Sequence, residues 1–314
     1  MNCEHNYLKP FQVNDFPEDT TKLAEAILLD GNDEPKYPTC LTNIAYDSEN
    51  SQLLMNILMP PVYIPETGII DQRKFPLIVW IQGSAFAKQE IGLHLPHLVE
   101  FAQQGYVIAA ITYQGTESGG HFPSTIRDTN CALNYLLEHT TQYHIDSQQI
   151  FLWGESSGAY TAIMTAVTQN EAFFFKNQVK PQHFKGIIDF YGPTVMQELD
   201  TAPSIQEHRS ANSWVGKYFN QQAITSQLKD LQQADPRKYL SPGLPPFLIF
   251  HGTLDMIVPF QQSLLLKQAL DKNQIENTFV AIQGSNHGTD AFWSPAAKKI
   301  VFNFLNKNCE KEEI

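Results

Sequence analysis

The residues Gly154-Glu155-Ser156-Ser157-Gly158 stand between the apolar run Ile150-Phe151-Leu152-Trp153 and a helix-forming stretch that opens with Ala159 and Tyr160. A serine at a sharp strand-to-helix turn is held in a strained backbone, and flanking glycines carry no Cβ to clash there. The start of the following helix brings backbone N–H groups and positive dipole to the serine oxygen. G-x-S-x-G alone is a weak pattern, since an ordinary turn with a capping serine also fits it. Its place between a strand and a helix is what nucleophilic chemistry requires. Ser156 is then the central serine, and Ser157 offers its backbone N–H.

A serine hydroxyl attacks poorly until a base takes its proton. In chain order, an acid and then a histidine are expected downstream of such a serine. Asp255 lies just after the apolar run Phe247–Phe250, and His287 lies in Gly284-Ser285-Asn286-His287-Gly288, just after another strand-like run. Alone, Asp255 reads as a turn aspartate and His287 as a loop histidine. Together, in this order and each just past a strand, they predict a set of Ser156, His287 and Asp255 for acyl transfer. His251 is a rival histidine, but it precedes Asp255 and is expected to pack at the strand end. Gln82-Gly83-Ser84-Ala85-Phe86 follows the run Leu77–Ile81. Backbone N–H groups of this loop can meet that of Ser157 around a developing alkoxide. Such a mechanism needs no metal and no cofactor.

The elements around these residues alternate. Leu41–Asp47 and Leu53–Met59 read as a hairpin across a polar turn. Strands are expected at Leu77–Ile81, Tyr106–Tyr113, Ile150–Trp153, Gly186–Tyr191, Phe247–Phe250 and Asn277–Ile282. Helices are expected over about Leu93–Gln104, Thr125–Thr140, from Ser156, Gln261–Leu270 and Ala296–Asn306. Repeated strand–helix units imply a mostly parallel sheet with helices on both faces, whose ligands bind beyond the carboxyl ends of the strands. Residues 1–40 read as an N-terminal arm with a short helical stretch near Thr21–Leu29. Residues 41–314 read as one domain, and residues 193–245 as a cap-like insertion that is too long for an ordinary connection. Phe86, Trp214 and Tyr218 are candidates to line a pocket. Arg127 and Asp128 read as structural, with Asp128 as a helix cap.

The 314 residues carry 33 acidic and 21 basic side chains, for a net charge of −12. Nucleic acid is a poor partner for such a chain, and an anionic membrane surface would repel it. No apolar run reaches membrane-spanning length. The first residues lack the pattern of a secretory leader, so a soluble, cytoplasmic protein is expected. Cys3, Cys40, Cys131 and Cys309 make neither a zinc spacing nor a disulfide framework.

The motifs resemble those of the α/β-hydrolase superfamily, in the serine carboxylesterase branch that holds hormone-sensitive-lipase-like and feruloyl- or acetylxylan-esterase-like enzymes. The resemblance runs from about Leu53 to Phe304. It rests on IQGSAF (81–86), GYVIAAITYQG (105–115), FPSTIRDTNCALNYL (122–136), WGESSGAY (153–160), PPFLIFHGTLDMIVPFQQS (245–263) and GSNHG (284–288). It implies an α/β-hydrolase fold, an acid role for Asp255, and an oxyanion loop at Gly83, Ser84 and Ala85. The family's usual His-Gly-Gly-Gly is Gln82-Gly83-Ser84-Ala85 here, its Tyr-Arg is Tyr113-Gln114, and its glycine pair is Gly158-Ala159. The expected activity is hydrolysis of short-chain, acetyl-type esters, with a small-molecule or carbohydrate ester as partner. The alternatives are an amidase or small peptidase with the same triad, and an inactive hydrolase-fold binding protein.

Overall fold

The computed structural model describes residues 37–64, 69–70, 73–176, 182–225 and 228–309, together with Thr21 and Ile27. The helical stretch expected near Thr21–Leu29 and most of the N-terminal arm lie outside these residues. The chain enters through β1 (Thr39–Ala45) and β2 (Leu54–Met59), followed by a short ribbon, β3 (Tyr63–Ile64) and β4 (Ile69–Ile70). Strands and helices then alternate: β5 (Phe75–Ile81), α1 (Leu95–Gln103), β6 (Val107–Ile111), α2 (Ser124–Glu138), β7 (Ile145–Glu155), α3 (Ser157–Val167) and β8 (Gly186–Phe190). After two short helices, α4 (Trp214–Tyr218) and α5 (Lys229–Gln233), the alternation resumes with β9 (Phe247–Gly252), α6 (Gln261–Lys272), β10 (Asn277–Ile282) and α7 (Pro295–Asn308).

One eight-stranded sheet runs β1-β2-β6-β5-β7-β8-β9-β10. β1 pairs antiparallel with β2, and β2 with β6; every later pairing is parallel. The turn between β1 and β2 closes on Asp47, whose Oδ1 accepts the N–H groups of Glu49 and Asn50, an aspartate turn of the kind the polar run implies.

The inner strands β5, β6, β8 and β9 are largely apolar because both of their faces are covered. Along β5, Leu77, Val79 and Ile81 join a core with Leu133 of α2, Ile163 of α3 and Leu266 of α6. The alternate residues Ile78 and Trp80 join a second core with Phe101 of α1 and Val301 of α7. Each such fully buried side chain contributes about 1.5–3 kcal/mol relative to an exposed one.

The segment between β8 and β9 packs on the domain through a third cluster, in which Val215, Tyr218 and Leu231 meet Phe86, Tyr160 and Met164. Tyr160 donates to the carbonyl of Ala234 at 2.9 Å, and Thr125 and Tyr218 share a 2.8 Å hydroxyl contact. Asp128 departs from the expected helix cap. It is fully buried inside α2, where its carboxylate accepts the Gln114 N–H at 2.9 Å and pairs with Lys176 at 2.7 Å. It ties α2 to two loops. Arg127 is structural in another way, donating to the carbonyl of Phe173 and stacking over that ring. No helix among the described residues is long and apolar enough to cross a membrane.

Candidate active site

Three loops at the carboxyl edge of the sheet carry the chemistry-bearing side chains. Ser156 directly follows β7, Asp255 lies three residues after β9, and His287 lies five residues after β10. Ser156 has φ +50° and ψ −126°, a strained conformation fixed by its N–H to the carbonyl of Phe190 at 2.8 Å. The flanking glycines explain how the turn closes. A Cβ on Gly154 would lie 2.4 Å from the Gly158 backbone, and one on Gly158 would lie 2.0 Å from the Ile81 carbonyl. Only bare backbone lets β5, β7 and α3 meet so closely.

Ser156, His287 and Asp255 form one hydrogen-bonded chain. Ser156 Oγ is 2.9 Å from His287 Nε2, and His287 Nδ1 is 2.7 Å from Asp255 Oδ2. A carboxylate accepts only, so Nδ1 carries the hydrogen and Nε2 is left to receive the serine proton. Asp255 Oδ1 accepts the N–H groups of Ile257 and Val258 at 2.9 and 2.8 Å. Burial works to raise the Asp255 carboxyl, but the hydrogen bonds and charges of His251 and His287 outweigh it and hold the group well below the usual carboxylate range. It is an anion wherever the protein is folded and near neutral pH. The His287 ring meets the ring of Tyr191 in an edge-type contact at a centroid distance of 4.6 Å. Tyr191, itself at φ +48°, donates its hydroxyl to Glu155 at 2.6 Å. His94 reaches the other oxygen of Glu155 at 3.0 Å.

The loop after β5 separates four residues that the sequence groups together. The Gly83 N–H points at Glu155 Oε1, 3.4 Å away, and the Ser84 N–H is taken by Ser157 Oγ at 2.9 Å. Ala85 and Phe86 both adopt positive φ, +52° and +62°. Among the described residues, no protein acceptor takes the N–H of Ala85 or of Ser157. Those two groups are therefore open to a ligand oxygen. Behind the loop, Ser157 Oγ, Tyr113 and Ser84 Oγ lie in a run of contacts of 3.2 and 2.9 Å that ends on the carbonyl of Ala87. Burial pushes the Tyr113 hydroxyl up to about 12, so it stays protonated and can donate in this run.

The BD-FAE family profile matches residues 61–270. The chain belongs to the BD-FAE family. Among curated proteins it is similar to "Probable carboxylic ester hydrolase LipM" of Mycobacterium tuberculosis, 25% identical over 190 residues, 60% of this chain and 43% of the relative. The chain spans about half the length of the curated relatives it matches. Among solved structures it is similar to a truncated carbohydrate esterase from gut microbiota, with a TM-score of 0.73 and 20% identity over 88% of this chain and 99% of that one. It is also similar to Thermogutta terrifontis esterase 2 phosphonylated by sarin, with a TM-score of 0.70 and 19% identity over 90% of this chain and 100% of that one. These likenesses are of fold, and that fold is the α/β-hydrolase fold with its N-terminal antiparallel hairpin.

In this BD-FAE chain the three loops border a cavity of about 580 Å³. Ser156, His287, Ala85 and Glu155 reach it from the sheet edge, while Gln206, Glu207, Asn212, Ser213 and Trp214 reach it from the segment between β8 and β9. Of the three aromatics proposed for the lining, only Trp214 does so. Phe86 and Tyr218 are fully buried behind it, stacked on each other at 3.8 Å between centroids. Positive φ at residues 85 and 86 swings the Phe86 side chain inward, away from the cavity. Sequence reasoning passed over Tyr191, Glu155 and His94. Glu155 holds an unspecified position of the G-x-S-x-G motif. No spacing rule joins Tyr191 or His94 to it. His251 was expected to pack at the strand end, and it does so with an added contact: its Nε2 lies 3.2 Å from Asp255 Oδ2.

Proposed function

We propose that the chain is a serine-dependent carboxylic ester hydrolase acting on short-chain, acetyl-type esters of small-molecule or carbohydrate alcohols. The reading is carried by the unbroken chain from Ser156 Oγ through His287 to the buried Asp255, with contacts of 2.9 and 2.7 Å, beside two unclaimed N–H groups.

Ser156 is the nucleophile. Its oxygen bonds to the ester carbonyl carbon while its proton passes to His287 Nε2, and the carbonyl electron pair moves onto oxygen. The N–H groups of Ala85 and Ser157 receive that oxyanion. One such donor is worth about 2.7–4 kcal/mol in the transition state. The electron pair then returns, the bond to the alcohol oxygen breaks, and His287 gives that oxygen its proton. Water repeats the sequence on the acyl-enzyme and releases the acid. Asp255, held as an anion, keeps Nδ1–H pointed inward and balances the imidazolium.

The residues on the segment between β8 and β9 favour a hydroxylated leaving group. Gln206, Asn212 and Ser213 supply polar side chains to the cavity, and Trp214 a flat apolar wall. The carbohydrate esterase among the similar structures is in line with that reading.

A panel of p-nitrophenyl esters from acetate to decanoate, with acetylated xylan oligomers, a feruloyl ester and a p-nitroanilide, tests it. The expected order is acetate through butyrate above longer chains, with the anilide slowest. Anilide turnover exceeding that of every ester would make the chain an amidase. Rates climbing steadily to decanoate would overturn the short-chain assignment. A folded protein that turns over nothing would leave a hydrolase-fold binding protein.

A further inference from the structure

We propose that His251 is a positioning residue for the Asp255 carboxylate, and that by sharing Oδ2 with His287 it sets how strongly that oxygen holds the His287 proton. The inference rests on the reading of Ser156, His287 and Asp255 as nucleophile, base and acid. The mechanism above gives His251 no task, yet the residue is fully buried at the end of β9 with both ring nitrogens engaged.

The hydrogens on that ring can be placed. Nε2 lies 2.9 Å from the carbonyl of Val258, and a carbonyl cannot donate, so Nε2 carries a hydrogen. The same nitrogen, with its positive N–H dipole, lies 3.2 Å from Asp255 Oδ2. Nδ1 lies 2.7 Å from Ser263 Oγ and receives that hydroxyl's hydrogen. The tautomer is fixed from both sides, and Phe260 fixes the ring plane with an edge contact at 5.5 Å. Asp255 Oδ1 is saturated by two N–H groups of its own loop. Oδ2 stands between two imidazoles: it accepts the His287 Nδ1–H at 2.7 Å and lies 3.2 Å from His251 Nε2.

An oxygen that serves a second donor is a weaker acceptor for the first. His251 therefore anchors Oδ2 in the direction of His287 and also tempers its pull on the Nδ1 hydrogen. Among the described residues, Asp189 and Tyr191 from the end of β8 also face this cluster, and Glu155 and Glu207 line the same cavity as His287. Ser263 from α6 is neutral. A histidine that merely fills the strand end would leave the proton affinity of His287 untouched, so the acid limb of the pH profile separates the two roles.

The test is the rate at which a fluorophosphonate probe labels Ser156 across pH, for the wild type, His251→Leu and His251→Gln, each checked for a cooperative thermal transition. Without the second donor, Oδ2 pulls harder on His287 and the imidazolium persists to higher pH. His251→Leu is expected to move the acid limb to higher pH by about half a unit to one unit. His251→Gln, whose amide nitrogen can stand where Nε2 stood, is expected to restore the wild-type limb. An unmoved limb in His251→Leu, or one moved to lower pH, overturns the proposal. If His251→Leu does not fold, ¹⁵N-histidine spectra of Asp255→Asn decide. Both the His287 Nδ1–H and His251 Nε2–H resonances are expected to shift, and an unmoved His251 resonance contradicts the sharing. A wild type that is not labelled at all would sink the reading of the site itself, whereas a labelled wild type with an unmoved limb sinks only the role of His251.

Discussion

The ring of Tyr191 lies against the ring of His287 with 4.6 Å between centroids, while its hydroxyl is tied to Glu155 at 2.6 Å. The histidine is thus held by the Asp255 hydrogen bond and by ring contact with a side chain anchored elsewhere. That matters because a reacting group displaced by about 1 Å can lose on the order of a hundredfold in rate. Tyr191→Ala is expected to lower kcat by roughly 10- to 100-fold with a smaller change in KM. Tyr191→Phe keeps the ring and loses only the bond to Glu155, so a loss of no more than about fivefold is expected on the same scale. Steady-state kinetics on p-nitrophenyl acetate checks both, and equal losses in the two variants would contradict a buttressing role for the ring.

Asp255 links activity to acid stability. Its folded-state value lies below the unfolded one of about 3.9. The carboxylate therefore contributes stability above about pH 4, and that contribution is lost as pH falls through the folded value. Thermal melts of the wild type are expected to drop below pH 4 more steeply than those of Asp255→Asn. In activity the same variant is expected to lose about ten-thousandfold in kcat, because an amide no longer fixes the His287 tautomer. Matching acid slopes in the two proteins would refute the linkage.

Asp189 works in the opposite sense. Burial pushes its carboxyl up to about 7, against the Gly192 N–H and the nearby His251, and its Oδ2 has no hydrogen-bond partner among the described residues. The folded value lies above the unfolded one, so the fold prefers the protonated form. Stability from this group is present below about pH 4 and is lost as pH rises towards 7. Asp189→Asn is neutral throughout. It is expected to gain on the wild type by on the order of 1–3 kcal/mol between pH 5 and pH 8. Denaturant unfolding at the two pH values measures this, and a constant difference would contradict it.

Trp214 walls the cavity beside Ile257 and Val258. Each methylene that a pocket accepts or refuses is worth about 1–3 kcal/mol. Trp214→Ala is expected to raise the ratio of octanoate to butyrate kcat/KM by roughly tenfold or more. An unchanged ratio would place the chain-length limit elsewhere.

The parallel sheet is legible in the sequence because apolar runs such as Leu77–Ile81 recur between helix-period segments. The convergence of Ser156, Asp255 and His287 on one edge follows from each standing just past a strand. Element ends are less legible. β7 begins at Ile145, earlier than its apolar run, because Ile145 and Asp146 pair with Phe75 and Pro76 before the register shifts. The spacing of Asp128 suits a helix cap, yet its partner Lys176 is 48 positions away and no local rule finds it. The oxyanion loop was legible in position only. Which N–H groups stay open depends on positive φ at Ala85, on Ser157 capturing the Ser84 N–H, and on Glu155 standing by that of Gly83. All three are tertiary facts.

Every step of the proposed reaction passes through Ser156. Incubation of the protein with a fluorophosphonate, followed by peptide mass spectrometry, is expected to find one phosphonyl adduct, on Ser156, with ester turnover falling in step with its occupancy. Ser156→Ala is expected to take no label and to be inactive while melting like the wild type. A label on another residue with Ser156 unmodified, or substantial ester turnover by a well-folded Ser156→Ala protein, would contradict the account.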